Sequence, residues 1–365
     1  MRLLTQGRYD FTFDLAPMSV PVGPRRAANL LRTALNLAYR KERPWAWPIH
    51  MQFEVTNFCN LSCPVCPTGT GILDRKAQAM DVDLFANCME EVGPHLLTAM
   101  LWVWGEPLLH PRFAEFVRIA RSHRVLPVVS TNGQTLAEDA VHDALMREPP
   151  EYIIVAIDGL TDETNSRYRV GATLEPVLAG VRRLVETRRR LRMRRPLLHM
   201  RFIAMKHNQG DLPRVRKFAR EHGFDMLSIR SLSVIQDDEA KHRELVPDDP
   251  RYRAYQYDEA ATRIARNDFV CQMPFAFPSM LADGTIIACD QDCRGAYPLG
   301  KFGDGQSFRD AWFGAKAARI RRIIRDDRMS VEYCRTCPYA DRPVGTCSVE
   351  AVQFAGGRKP GSGDE

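Results

Sequence analysis

From residue 52 onward the chain alternates short apolar runs with stretches in which apolar residues recur every three or four positions. The runs at 52–56, 99–103, 126–130, 152–157, 199–205 and 226–230 have the length and β-branched content of buried strands. Between them, residues 82–92, 111–123, 137–146, 174–192 and 212–222 carry helical spacing. Six such repeats predict an α/β fold, a parallel sheet with right-handed crossovers in a partial (β/α)6 TIM-like barrel over residues 51–232. Active sites of barrels lie at the C-terminal ends of their strands.

The flanks follow other patterns. Residues 1–50 read as an appendage, with one short strand in DFTFDL and an amphipathic helix over 24–41 that carries Leu30, Leu31, Leu35 and Leu37. A basic amphipathic helix can lie on a membrane surface. Packing against its own domain is the expectation here. The alternation stops after Arg230, and the charged residues 233–268 read as a linker with a short helix. Residues 269–345 form a small cysteine-rich module, with a hairpin at Asp283-Gly284 and a helix over 308–325. Residues 346–365 read as a flexible tail.

Composition adds little to this: 365 residues, 45% hydrophobic and 26% charged, describe an ordinary globular chain. The net charge of +6 owes much to the arginine-rich stretch VRRLVETRRRLRMRR at 181–195. No aromatic residues interleave with those arginines, so the solvated back of a helix is preferred to a nucleic-acid surface. No apolar stretch is long enough to span a bilayer, and the first residues lack a signal-peptide core, which points to the cytoplasm. Ten cysteines in that compartment read as metal ligands or catalytic thiols.

The cysteines change the picture. Cys59, Cys63 and Cys66 form a CxxxCxxC array directly after the first strand, in FEVTNFCNLSCPVCPTGTG. Such an array can be a zinc knuckle, but structural zinc wants four ligands and no fourth Cys or His lies on this loop. Three thiolates can instead hold three corners of an iron-sulfur cube and leave one iron open.

With CNLSCPVC after its first strand, the chain resembles the radical S-adenosylmethionine (SAM) superfamily, in which the open iron of a 4Fe-4S cluster is chelated by SAM. Further motifs fit the resemblance. The second strand runs into Gly105-Glu106-Pro107, with Trp104 where the family has a glycine, and the resemblance implies that Glu106 holds the methionyl amino group. Ser130 and Asn132 in STNG end the third strand and match positions that contact ribose and methionyl groups. Asp158 ends the fourth, and Arg169 downstream is the implied partner of the methionyl carboxylate, a role suited to its planar fork. Val65, where the family often has an aromatic, offers adenine only an aliphatic contact.

Cys271, Cys289, Cys293, Cys334, Cys337 and Cys347 follow. A pair, a gap and a CxxC would also suit a zinc ribbon. The layout resembles the SPASM and Twitch extensions of radical SAM enzymes, which implies that Cys271, Cys289, Cys334 and Cys337 hold a second, auxiliary 4Fe-4S cluster. Cys293 and Cys347 are left over, and Cys88 reads as a small core residue. Asp290, beside Cys289, is a candidate proton acceptor for a substrate oxidation.

The resemblance implies an oxidoreductase that cleaves SAM to a 5'-deoxyadenosyl radical, removes a hydrogen atom from its substrate and oxidises it through the auxiliary cluster, with a donor such as a flavodoxin or ferredoxin. A small-molecule substrate is the expectation, since residues 1–50 look too short and strand-poor for a leader-peptide-binding domain. The alternatives are a peptide or protein maturase and, outside enzymes, an iron-sulfur or zinc protein that binds nucleic acid.

Overall fold

The computed structural model describes residues 7–13, 16–234, 239–258, 263–264, 269–340 and 348–354. The six expected strands form at His50–Phe53 (β3), Thr98–Met100 (β4), Leu126–Thr131 (β5), Tyr152–Ala156 (β6), Leu197–Ala204 (β7) and Met226–Ser231 (β8), after an N-terminal pair, Arg8–Phe13 (β1) and Ala16–Pro21 (β2). β3 to β8 lie side by side and parallel, in sequence order. Helices Val82–Val92, Phe113–Ser122, Asp139–Arg147, Leu174–Arg190 and Leu212–Glu221 fill the crossovers. The result is the α/β partial barrel that the sequence anticipates.

One helix shows why these elements form. Val82, Phe85, Cys88, Met89 and Val92 fall on one face of Val82–Val92 and are buried, with Phe85 edge-on to Phe53 at 4.8 Å. Asp81 caps the helix, its carboxylate accepting the Asp83 and Leu84 N–H groups at 2.7 and 3.1 Å. Cys88 is fully buried and its thiol is pushed up by desolvation, as befits a core residue.

The flanks depart from the sequence reading. The N-terminal segment holds an antiparallel hairpin, β1 with β2, where one strand was expected. The linker contains the expected short helix, Glu239–Leu245, and also an unexpected strand pair, Gln256–Tyr257 (β9) and Arg263–Ile264 (β10). Strands Ser279–Met280 (β11), Thr285–Ile287 (β12) and Pro298–Lys301 (β13) extend the barrel sheet, with β11 parallel to β3. The expected helix over 308–325 is two, Phe308–Phe313 and Ala315–Asp326, because Gly314 is extended (φ −72, ψ 172) between them. Part of the expected tail, Ser348–Gln353 (β14), pairs antiparallel with β8 and completes a ten-stranded sheet. No described helix is long and apolar enough to cross a membrane.

The arginine-rich stretch is partly spoken for. Arg188 forms a two-pronged pair with Asp225, Arg183 pairs with Asp139, Arg182 with Glu175 and Arg195 with Glu151. The Arg188 and Arg183 pairs tie the helix Leu174–Arg190 to its neighbours, the Arg182 pair lies within that helix, and the Arg195 pair ties the segment after it.

Candidate functional site

At the C-terminal end of β3 the backbone enters the cysteine loop, and two contacts lock it to the turn after β4. Thr56 donates its hydroxyl to the Glu106 carbonyl at 2.8 Å, and the Glu106 N–H bonds the Phe58 carbonyl at 2.8 Å. Gly105 sits at φ +92, and a Cβ there would collide with the Thr56 carbonyl, so this turn requires glycine. Within the loop the Leu61 N–H points at the Cys59 sulfur (3.4 Å), and Cys66 N–H bonds the Cys63 carbonyl at 3.2 Å. Cys63 is buried and Cys59 and Cys66 are half-buried, all as free thiols. Burial pushes the Cys59 thiol up to about 11 and raises that of Cys63, where neighbouring Arg169 opposes the rise. A metal or cluster bound here has to displace those protons.

The strand ends supply polar groups around this loop. Glu106 is buried, and its carboxylate accepts from the Thr131 hydroxyl (2.7 Å), the Asn132 N–H (2.7 Å) and the Leu108 N–H (3.0 Å). Two carboxylate oxygens offer about four lone-pair sites, so one remains for a further donor. Desolvation raises the Glu106 pKa despite these bonds. Asn132 reaches from β5 to the loop, donating to Asn60 at 2.8 Å with its amide 3.6 Å from the Cys59 sulfur. Asp158 is fully buried and accepts from both Arg169 Nε (2.5 Å) and the Ile203 N–H (2.6 Å). Arg169 in turn lies close enough to Cys63 to act on its thiol. Ser130 is half-buried, and its hydroxyl accepts from Arg201 at 3.4 Å.

The walls around the loop are apolar. Leu61, Cys63 and Val65 pack in one cluster with Tyr168, Met205, Leu245 and Tyr255, so the supposed linker closes over the loop. Its scattered apolar residues carry no periodicity that would have revealed this.

Cys271, Cys289, Cys334 and Cys337 line a single cavity with Phe269, Met273, Pro274, Gln291, Ile324, Tyr333 and Tyr339. Burial and the proximity of Cys337 push the Cys271 thiol up to about 12, and burial raises the Cys289 thiol well above its ordinary value. Cys293 is not among the lining residues; it borders a neighbouring cleft with Asp292, Arg294 and Glu332. Cys347 lies outside the described residues. Among the described residues no three or more His, Cys, Asp or Glu side chains are gathered as for a single metal ion.

Three ties that sequence reasoning missed join the two cysteine sites. Trp104 donates its indole N–H to the Asp290 carbonyl at 2.9 Å. Arg75 forks onto buried Glu54 at 2.6 and 2.7 Å and donates to the Cys293 carbonyl at 2.9 Å. Arg294 donates to the Ile72 carbonyl at 3.1 Å. The one visible signal was Trp104 itself, a large residue where the turn pattern has glycine. The Asp290 carboxylate accepts from the Cys289 thiol and the Gln291 amide, each at 3.3 Å.

Residues 53–199 match the family model for the radical SAM superfamily, and residues 271–338 match that for the SPASM iron-sulfur cluster-binding domain. A tungsten-containing aldehyde ferredoxin oxidoreductase cofactor-modifying protein of Pyrococcus furiosus is 27% identical over half of each chain (50% of this chain and 51% of that relative). A PqqA peptide cyclase of Ruegeria pomeroyi is 24% identical over 85% of this chain and 84% of its own. Among solved structures, SuiB of Streptococcus suis bound to SAM superposes with a TM-score of 0.59 (13% identity; 85% of this chain, 76% of that one). BtrN in complex with SAM and 2-DOIA gives 0.53 (16% identity; 83% of this chain, 98% of that one). A radical SAM core implies a 4Fe-4S cluster and SAM, and a SPASM domain implies auxiliary iron-sulfur clusters. The chain is a radical SAM superfamily protein with a C-terminal SPASM-type iron-sulfur cluster-binding domain.

Proposed function

We propose that this radical SAM enzyme modifies a peptide. The observation that carries the reading is the alignment with a PqqA peptide cyclase over 85% of this chain and 84% of that one. A small molecule, the substrate favoured from sequence, rested on the brevity of residues 1–50, and that segment holds more structure than the pattern suggested.

In this reading residues 51–232 are the core and 269–345 the auxiliary unit. Cys59, Cys63 and Cys66 hold the first 4Fe-4S cluster, and three free thiols on one loop, walled by apolar residues, suit it. The free lone pair of Glu106 takes the methionyl ammonium of SAM, Arg169 its carboxylate, and Ser130 and Asn132 its remaining polar groups. Asp158 does not face the cofactor in this scheme; its carboxylate is occupied by Arg169 and the Ile203 N–H and holds the guanidinium in place. Cys271, Cys289, Cys334 and Cys337 hold the second cluster in their shared cavity. When bound and reduced by one electron from a donor such as flavodoxin or ferredoxin, the cluster and SAM held by these residues would supply the 5'-deoxyadenosyl radical chemistry that takes a hydrogen atom from the substrate. Asp290, between the Trp104 turn and Cys289, would take the proton that leaves as the substrate radical passes its remaining electron to the auxiliary cluster in the cavity.

The test is anaerobic turnover of the reconstituted chain with reductant, SAM and side-chain-deuterated peptides encoded beside its gene. Deuterium in 5'-deoxyadenosine and a mass loss in one peptide are expected. Deuterium arriving only from a small molecule would overturn the peptide reading and leave SAM cleavage standing.

A further inference from the structure

Helix Pro24–Tyr39 is packed with its polar side inward. Its buried residues are Arg26, Asn29, Thr33 and Asn36, spaced three, four and three apart along one face. Each has work there. Arg26 donates to the carbonyls of Gly93, His123 and Arg124 at 3.0, 2.6 and 2.8 Å. Asn29 exchanges hydrogen bonds with the Trp47 backbone at 3.0 and 3.1 Å, and Asn36 donates to the Phe275 carbonyl at 3.0 Å. The opposite face carries Leu31, Leu35 and Tyr39, four residues apart, exposed at 66, 44 and 65%, with Trp45 just beyond at 47%. Side chains that would normally be the reason for an amphipathic helix to pack are the ones left in water.

The charges around this stripe have one sign. Arg25 and Arg32 lie seven apart on one flank, and Lys41 and Arg43 lie at the aromatic end, where Lys41 stands 5.7 Å from the Trp45 ring. None of these four has a carboxylate partner among the described residues. Glu42, the one acid between Pro24 and Trp47, is neutralised by Arg322 and Arg325 at 2.6 and 3.1 Å. We infer that this face docks on a bilayer surface bearing anionic lipid. Apolar side chains enter the acyl boundary, Tyr39 and Trp45 sit at headgroup level and the arginines and lysine meet the phosphates. A second copy of the chain is a poorer occupant, because a two-fold contact would set these cations against themselves. The placement leaves the reaction site accessible. Arg26 is anchored on the carbonyls that lead into β4 and β5, at the N-terminal strand ends, whereas the cysteine loop follows the C-terminal end of β3.

The experiment is flotation of the full-length chain with vesicles of phosphatidylcholine alone or with about 30 mol% phosphatidylglycerol, at about 50 and about 500 mM salt. Binding is expected only with phosphatidylglycerol and only at low salt. Leu31→Ser/Leu35→Ser and Arg25→Glu/Arg32→Glu should each weaken it about tenfold, with thermal melts unchanged because all four residues are exposed. Arg189→Ser/Arg190→Ser, on the other arginine-rich helix, should leave it intact. Equal binding to neutral vesicles, or loss in the Arg189/Arg190 variant but not in the Leu31/Leu35 one, would overturn the inference. So would absence of vesicle binding together with a dimer that the Leu31/Leu35 variant dissolves.

Discussion

At the loop, Cys59, Cys63 and Cys66 come from eight consecutive residues, two of them half-buried, and stand among Glu106, Asp158, Arg169 and Asn132. In the cavity, Cys271, Cys289, Cys334 and Cys337 come from three separate stretches and stand mostly among aromatic and aliphatic side chains. A site that must take up and release a zwitterion needs charged partners and access. One that keeps its occupant gains more from desolvation, which strengthens every interaction within it. On the proposed reading, the difference matches exchange at the loop and retention in the cavity. It also says where each kind of damage should show.

The largest effect is expected from Cys59→Ala/Cys63→Ala/Cys66→Ala. This variant should produce no 5'-deoxyadenosine while keeping the iron and the absorbance of the cavity cluster, read by iron assay and electron paramagnetic resonance. Unchanged iron content would mean that the loop holds no cluster. The reciprocal variant, Cys271→Ala/Cys334→Ala, should lose the cavity signal and all modified product yet still cleave SAM. If it instead loses SAM cleavage with the loop cluster intact, the two sites are not separable.

Much of this comparison was legible in the sequence because it rests on local spacing. The strands of the barrel follow from short apolar runs and its helices from a period of 3.6, and the polar residues at strand ends follow from where those patterns stop. What was hidden depends on partners far along the chain. The outward stripe of Leu31 and Leu35 gives the same periodicity as an inward one, since amphipathicity does not say which face is buried. Ala16–Pro21 has proline at its second and last positions and reads as a poor strand, but it needs only one neighbour, β1. Val352 and its neighbours looked like a tail until β8 offered an edge. Arg201, reaching Ser130 from β7, and Arg75, clamped on Glu54, gave no motif at all.

The next prediction concerns the buried pair at the loop. Arg169→Met leaves Asp158 charged, desolvated and short of a partner, so it should cost about 3–5 kcal/mol of stability as well as SAM affinity. Arg169→Met/Asp158→Asn should recover most of the melting temperature and none of the affinity. Recovery of both, measured by calorimetry and SAM titration, would show that Arg169 is structural and makes no contact with the cofactor.

The smallest effect tests the seam between the two sites. Trp104→Phe keeps an aromatic ring in the turn and removes the N–H that holds the Asp290 carbonyl. A lost hydrogen bond of this kind is worth about 1 kcal/mol, or roughly a fivefold change in an equilibrium. Because the bond joins the SAM turn to the Cys289 segment, its loss should leave SAM binding and both clusters unchanged. Radical formation and substrate oxidation should then fall out of step, with more 5'-deoxyadenosine made per molecule of product. A proportionate fall in both would place Trp104 on the SAM side alone, and no change in either would show that the Asp290 segment is held by Arg75 and Arg294 without it.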